Sequence, residues 1–182
     1  MPGLRVIFVD FDGVLNSHQM YLMRDVEAMK VGKATPEEAD LEANIVNMDA
    51  YNVWNLKFIL DNVPDLKIVI HSSRRRGHSC ETLTRSLEHF GINREVVLGC
   101  CPRKMSSQKA DDIGFWFHDC ADEGGPPVDD WIVVDDRRIF MDADPRRQRE
   151  YKTSPFTGLT YPDACSIIRK FEPKWEQPGI LI

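Results

Sequence analysis

Val6-Ile7-Phe8-Val9-Asp10-Phe11-Asp12-Gly13-Val14 is the stretch that decides how this chain is read. It opens with four consecutive apolar residues, mostly β-branched. A strand covered on both faces has that pattern, because neither face can carry polar groups. Side chains at i and i+2 of an extended chain point the same way. Asp10 and Asp12 therefore address one side of the strand's carboxyl end, while Phe11 turns back to the core. Gly13 lets the chain leave sharply, since it tolerates positive φ and close backbone approach. Two carboxylates this close repel each other unless a cation sits between them or one holds a proton.

The same kind of run recurs outward from this stretch. Leu66-Lys67-Ile68-Val69-Ile70 reads as a second strand, ending in His71-Ser72-Ser73. Residues 95–98 read as a short third strand with Gly99 after it. Trp131-Ile132-Val133-Val134 reads as a fourth, ending in Asp135-Asp136, and a fifth is expected near Phe140-Met141. Helical spacing lies between them: Val53, Leu56, Ile59 and Leu60 within residues 50–62, a stretch over 79–90 that stops at Gly91, and Ile113, Trp116 and Phe117 on one face of 109–120. Residues 157–171 are expected to end in a helix. Residues 19–29 read as helical, and Thr35-Pro36-Glu37-Glu38 as a helix start. Strands alternating with helices imply right-handed crossovers and an α/β, Rossmann-like three-layer fold with a mainly parallel sheet. Ligands collect beyond the carboxyl ends of such strands. Asp10/Asp12, Ser72/Ser73 and Asp135/Asp136 all fall at that edge.

The bulk properties suit one soluble domain over residues 1–182: 42% apolar and 29% charged residues support a single core. A net charge of −6 argues against a general polyanion binder. Arginines nevertheless cluster at 74–76, at 137–138, and at 146, 147 and 149. No apolar run approaches the ~20 residues of a membrane span, and the first residues lack a leader pattern. The expected setting is cytoplasmic. Five cysteines, an odd number without regular spacing, read as reduced packing residues.

Four blocks in order resemble the haloacid dehalogenase-like (HAD) hydrolase superfamily. Asp10-Phe11-Asp12-Gly13-Val14-Leu15-Asn16 resembles its first motif, and Ile68-Val69-Ile70-His71-Ser72 its second. Lys109 resembles the helix-borne lysine of the third, and Val133-Val134-Asp135-Asp136 the fourth. Asp-Gly-Val-Leu-Asn, the Ser-Ser-x-Arg block and Gly158-Leu159-Thr160 further resemble small HAD domains of RNA repair and polynucleotide end processing. Arg74 departs from that narrower group, where an aromatic is common.

The resemblance implies a Mg²⁺-dependent phosphatase working through an aspartyl-phosphate. Asp10 would be the nucleophile and Asp12 the acid and base. Ser72 would hydrogen-bond a phosphoryl oxygen, and Lys109 would place positive charge beside the transferring group. Mg²⁺, a cation that prefers oxygen ligands, would be held by Asp10, the Asp12 carbonyl and Asp135, with Asp136 as a direct or water-mediated ligand. Ser73 and Arg75 are candidate substrate contacts, with Arg74–Arg76 otherwise read as a solvated run. Residues 16–49 would form a flap or minimal cap, which leaves the site open. Open sites of this kind suit a nucleic-acid end carrying a phosphate. A small phosphorylated metabolite is the alternative substrate, and a non-catalytic phospho-ligand module is the alternative outside enzymes.

Overall fold

The computed structural model describes residues 3–19, 41, 44–45, 47–103 and 108–178. Its central sheet has β1 (Leu4–Val9), β2 (Leu66–Ile70), β3 (Val97–Cys100), β4 (Val128–Asp135) and β5 (Glu150–Lys152). The strands lie in the order β3-β2-β1-β4-β5, every pair parallel. Helices α1 (Ala50–Asn62), α2 (Cys80–His89), α3 (Lys109–Asp122) and α4 (Tyr161–Phe171) flank it.

Alternation along β1 assigns the two faces. Ile7 and Val9 enter a core shared with Leu56 and Ile59 of α1, Leu83 and Leu87 of α2, and Ile167 and Ile168 of α4. Val6 and Phe8 enter a second core with Ile113 and Trp116 of α3 and Phe140. Both faces of β1 are thus covered, which is why its apolar run is unbroken. Trp116 meets Phe8 edge-on at 5.3 Å between ring centroids, as a packing residue.

Val9 pairs with both Ile70 and Val134, so the carboxyl ends of β1, β2 and β4 finish level. The chain order reverses between β1 and β4, and this crevice is where such sheets bind ligands. Asp10 and Asp135 sit on its two sides.

The strand and helix expectations for residues 50–62 and 66–70 match α1 and β2. Three others shift. The third strand starts later, at Val97, because Asn93 caps a 3-10 turn over Arg94–Val96. The fourth extends to Val128–Asp135. The fifth is not near Phe140: that ring is buried in the second core, Met141 is exposed, and the strand lies at Glu150–Lys152. The helical expectations at 19–29 and 35–38 fall outside the described residues, apart from residue 19, as does most of 16–49.

The reading of five reduced cysteines is also corrected. Cys80 at the start of α2 is disulfide-bonded to Cys100 at the end of β3, with Cα atoms 5.8 Å apart. Topology produces this pairing, because α2 crosses over to β3 and returns beside it. Cys101 and Cys165 are buried free thiols, as expected of packing residues. No helix among the described residues is long and apolar enough to cross a membrane.

Candidate active site

Asp10 directly follows β1, and its side chain is only 4% exposed. One carboxylate oxygen accepts the Phe11 amide N–H at 2.7 Å, and the other accepts Lys109 Nζ. Asp135 at the end of β4 is built the same way. Its Oδ1 accepts the Arg137 amide at 2.9 Å, and its Oδ2 accepts Lys109 Nζ at 2.6 Å. Lys109, the first residue of α3, therefore bridges two buried carboxylates from two strands. Oxygens of Asp10, Asp135 and Asp136 all lie within 4.8 Å of one another.

The electrostatics follow from this crowding. Burial and the neighbouring Asp10 charge push Asp135 up to about 7, against the pull of Lys109. Burial alone would lower the Lys109 ammonium, but its pairing with Asp10 and Asp135 outweighs that and raises it. Three carboxylates with one ammonium leave excess negative charge in a low-dielectric crevice. An all-oxygen donor set with surplus negative charge fits a hard divalent cation such as Mg²⁺.

The turn after Asp10 is fastened from several directions. Gly13 has φ 75°, and a Cβ there would lie 2.6 Å from Asp136 Cβ. Glycine is therefore needed both for the conformation and for Asp136 to pack against the turn. Asn16 Oδ1 accepts the Gly13 amide at 3.0 Å, while its Nδ2 donates to Asp12 Oδ1 at 2.9 Å. Thr153 Oγ1 donates to the Gly13 carbonyl at 2.9 Å, and Leu159 N donates to the Val14 carbonyl at 2.8 Å. Gly158, at φ 68°, brings its backbone close enough that a Cβ would stand 2.8 Å from the Val14 oxygen. Sequence reasoning assigned no role to Asn16, Thr153 or the approach of 158–159. Only the motif wording around Asn16 and Gly158 hinted at them.

After β2, Ser72 Oγ accepts the Arg74 amide at 3.2 Å and so caps the 3-10 turn Ser73–Arg76. Ser72 is buried and Ser73 exposed. The solvated reading of 74–76 holds only for Arg76. Arg74 donates twice to Asp12 Oδ1. Arg75, expected beside the substrate, points elsewhere: it donates to the Ser72 and Cys101 carbonyls and, at 3.0 Å, to buried Asp112. Its burial explains the difference, because a desolvated guanidinium needs acceptors for its donors.

His71, quoted above only as part of the second block, is also built into the site. It is fully buried, and its Nε2 lies 2.9 Å from the Lys109 carbonyl. A carbonyl only accepts, so Nε2 carries the proton. Nδ1 then faces Asp135 Oδ2 at 4.0 Å. Burial holds the imidazole down to about 4, so it is neutral at ordinary pH. Its work is to hold the start of α3, and with it Lys109, against the sheet edge.

The other basic clusters are largely neutralised within the fold. Arg138 and Arg147 share Asp142, Arg146 pairs with Asp144, and Arg149 with Asp130. Arg76 and Arg137 remain exposed at the loops following β2 and β4.

Residues 6–164 match the family model described as the HAD domain in Swiss Army Knife RNA repair proteins. The chain belongs to this HAD domain family. Membership makes it a HAD-type phosphatase domain at the level of the superfamily. Among solved structures, it is similar to the HAD domain of effector protein Lem4 from Legionella pneumophila, at 15% identity and a TM-score of 0.48 over 92% of this chain and 94% of that one. Comparison with curated proteins finds no match.

Proposed function

We propose that this HAD domain is a Mg²⁺-dependent phosphomonoesterase acting on phosphorylated nucleic-acid ends. The observation that carries the reading is the meeting of Asp10, Asp135 and Asp136 oxygens within 4.8 Å, beside the Lys109 ammonium. Asp10, Asp135, Asp136 and the Asp12 carbonyl would hold the metal. When bound, it would supply positive charge that draws the phosphate dianion toward an anionic nucleophile.

In the first half-reaction an Asp10 carboxylate oxygen bonds to phosphorus, the P–O ester bond breaks, and Asp12 gives a proton to the departing oxygen. In the second, water bonds to phosphorus, Asp12 takes a proton from it, and the Asp10–phosphorus bond breaks to release inorganic phosphate. Lys109 holds Asp10 in place and balances charge on the transferring group. Ser72 accepts the Arg74 amide, so its O–H is the donor it offers a phosphoryl oxygen. Ser73, exposed beside it, is a candidate second contact.

The nucleic-acid substrate is supported by the RNA-repair family description and by exposed Arg76 and Arg137 at the site's edge. The test is hydrolysis of an aryl phosphate with and without chelator, beside 3′- and 5′-phosphorylated oligonucleotides and a panel of small phosphorylated metabolites. Chelator-sensitive release of phosphate, with the highest kcat/KM on one oligonucleotide end, is the expected result. A higher kcat/KM on a small metabolite would replace the substrate assignment. Phosphate binding without turnover would replace the enzymatic one.

A further inference from the structure

Arg74 has no part in the chemistry above, yet its guanidinium donates to both Asp12 and Asn44 at the site's rim. Its Nε and Nη2 donate to one oxygen, Asp12 Oδ1, at 3.0 and 2.8 Å. Asn16 Nδ2 donates to that same oxygen at 2.9 Å. Arg74 Nη1 donates to Asn44 Oδ1 at 2.9 Å, and the Asn44 amide nitrogen lies 3.2 Å from His78 Nδ1. The guanidinium carbon sits 6.0 Å from the Phe11 ring centroid. Only 10% of the Arg74 side chain is exposed, against 50% for Asp12.

These contacts amount to a mount. The final torsion of an aspartate is broad, so a half-exposed carboxylate does not choose its own plane. Three donors on one oxygen choose it, and fixing one oxygen also fixes where the other points. The guanidinium is planar, so it cannot turn to leave Asp12 without also breaking the Asn44 bond. A lysine could satisfy one of these acceptors but not hold the fork.

We propose that Arg74 is a positioning residue for Asp12, and that Asn44 pins Arg74 from the segment between the first motif and α1. Through this link, Asn44 helps set the orientation of the proton-transferring carboxylate. The inference rests on Asp12 as the acid and base. Its rival is a direct grip of Arg74 on the substrate phosphate.

A double-mutant cycle on kcat/KM separates the two. The substrate is an aryl phosphate, whose good leaving group keeps the residual rate of Asp12→Asn measurable. Positioning requires Arg74→Ala to lower kcat/KM roughly 10- to 100-fold when Asp12 is present, a size typical of small misplacements. It requires less than about a twofold effect in the Asp12→Asn background, where nothing remains to be positioned. Arg74→Lys should recover only part of the loss, and Asn44→Ala should give a smaller loss that also disappears with Asp12→Asn. Equal losses in both backgrounds would overturn the proposal in favour of phosphate contact.

A second measurement does not depend on turnover. The Arg74 Nε–H proton should be slow to exchange and visible by NMR in the wild-type protein, and should be lost or shifted in Asp12→Asn. An unchanged signal would also overturn the proposal. If the wild-type protein hydrolyses no phosphate ester, the phosphatase reading fails by itself, and the NMR comparison still decides whether Arg74 holds Asp12.

Discussion

Asp10 and Asp12 stand two residues apart, yet they belong to different halves of the site. Asp10 lies sealed at the bottom with Asp135, Lys109 and His71 around it. Asp12 lies at the rim, half exposed, with Arg74 and Asn16 around it. In the inner half charges are desolvated, so each carboxylate needs a cation and each pKa responds strongly to its neighbours. In the rim, solvent screens charge and protons can exchange. A fixed nucleophile beside a cation suits the first setting, and a proton carrier suits the second.

The largest expected effects break this division outright. Asp10→Asn and Asp12→Asn should each lower kcat by roughly 10³-fold or more, about 4 kcal/mol of barrier. They should differ in kind. On an aryl phosphate, whose leaving group departs without the Asp12 proton, Asp10→Asn should form no covalent phosphoryl-protein, whereas Asp12→Asn should retain the label, because release by water then lacks its base. Rapid-quench labelling checks this, and label on the Asp10→Asn protein would refute the nucleophile assignment.

Removing the shared cation is next. Lys109→Ala leaves two buried carboxylates without an ammonium and should destabilise the metal-free protein by about 3–5 kcal/mol. Urea unfolding measures it, and Mg²⁺ should recover a large part of the loss.

Asp135 gives the pH-dependent version. Its folded-state pKa near 7 exceeds the ordinary 3.8, so the unfolded chain loses its proton first. Its contribution to metal-free stability therefore falls as pH rises from about 4 to 7, by up to about 4 kcal/mol. Asp135→Asn should accordingly stabilise the metal-free protein at pH 8 and have little effect at pH 4. His71, held down to about 4, destabilises the fold as pH falls below its usual 6.5, so the variant is compared with wild type at each pH. Mg²⁺ at about 100 times its Kd should add roughly 2.7 kcal/mol to wild type at pH 8, and much less to Asp135→Asn.

The smallest effect should fall outside both halves. Reducing Cys80–Cys100 opens a loop with a sequence separation of 20. The stability loss should be at most about 3 kcal/mol, with kcat/KM unchanged. A loss of kcat/KM larger than the loss of folded protein would show that the tether reaches the site.

The inner half was nearly all legible beforehand. Asp10, Lys109, Asp135 and Asp136 each stand at the end or start of an element with a plain signature, and the parallel order of strands brings those ends together. The rim was not. Arg74 and Arg75 are adjacent and chemically identical, yet one turns to Asp12 and the other to Asp112 and two carbonyls. Adjacent side chains in a 3-10 turn diverge by about 120°, and no local pattern says which of the two faces Asp12. Thr153 and Gly13 are 140 positions apart, and no pattern in either neighbourhood refers to the other.

From its residues alone this chain settles the apolar runs, their alternation with helices and the placing of acids at strand ends, because those depend on a few consecutive residues and on the two backbone periods. Folding settled what meets across the crevice: Lys109 between two carboxylates, Arg74 on Asp12, Cys80 on Cys100, and β5 ten residues beyond where it was expected. Such meetings depend on strand order and on which buried polar group finds a partner, and both are properties of the packed whole.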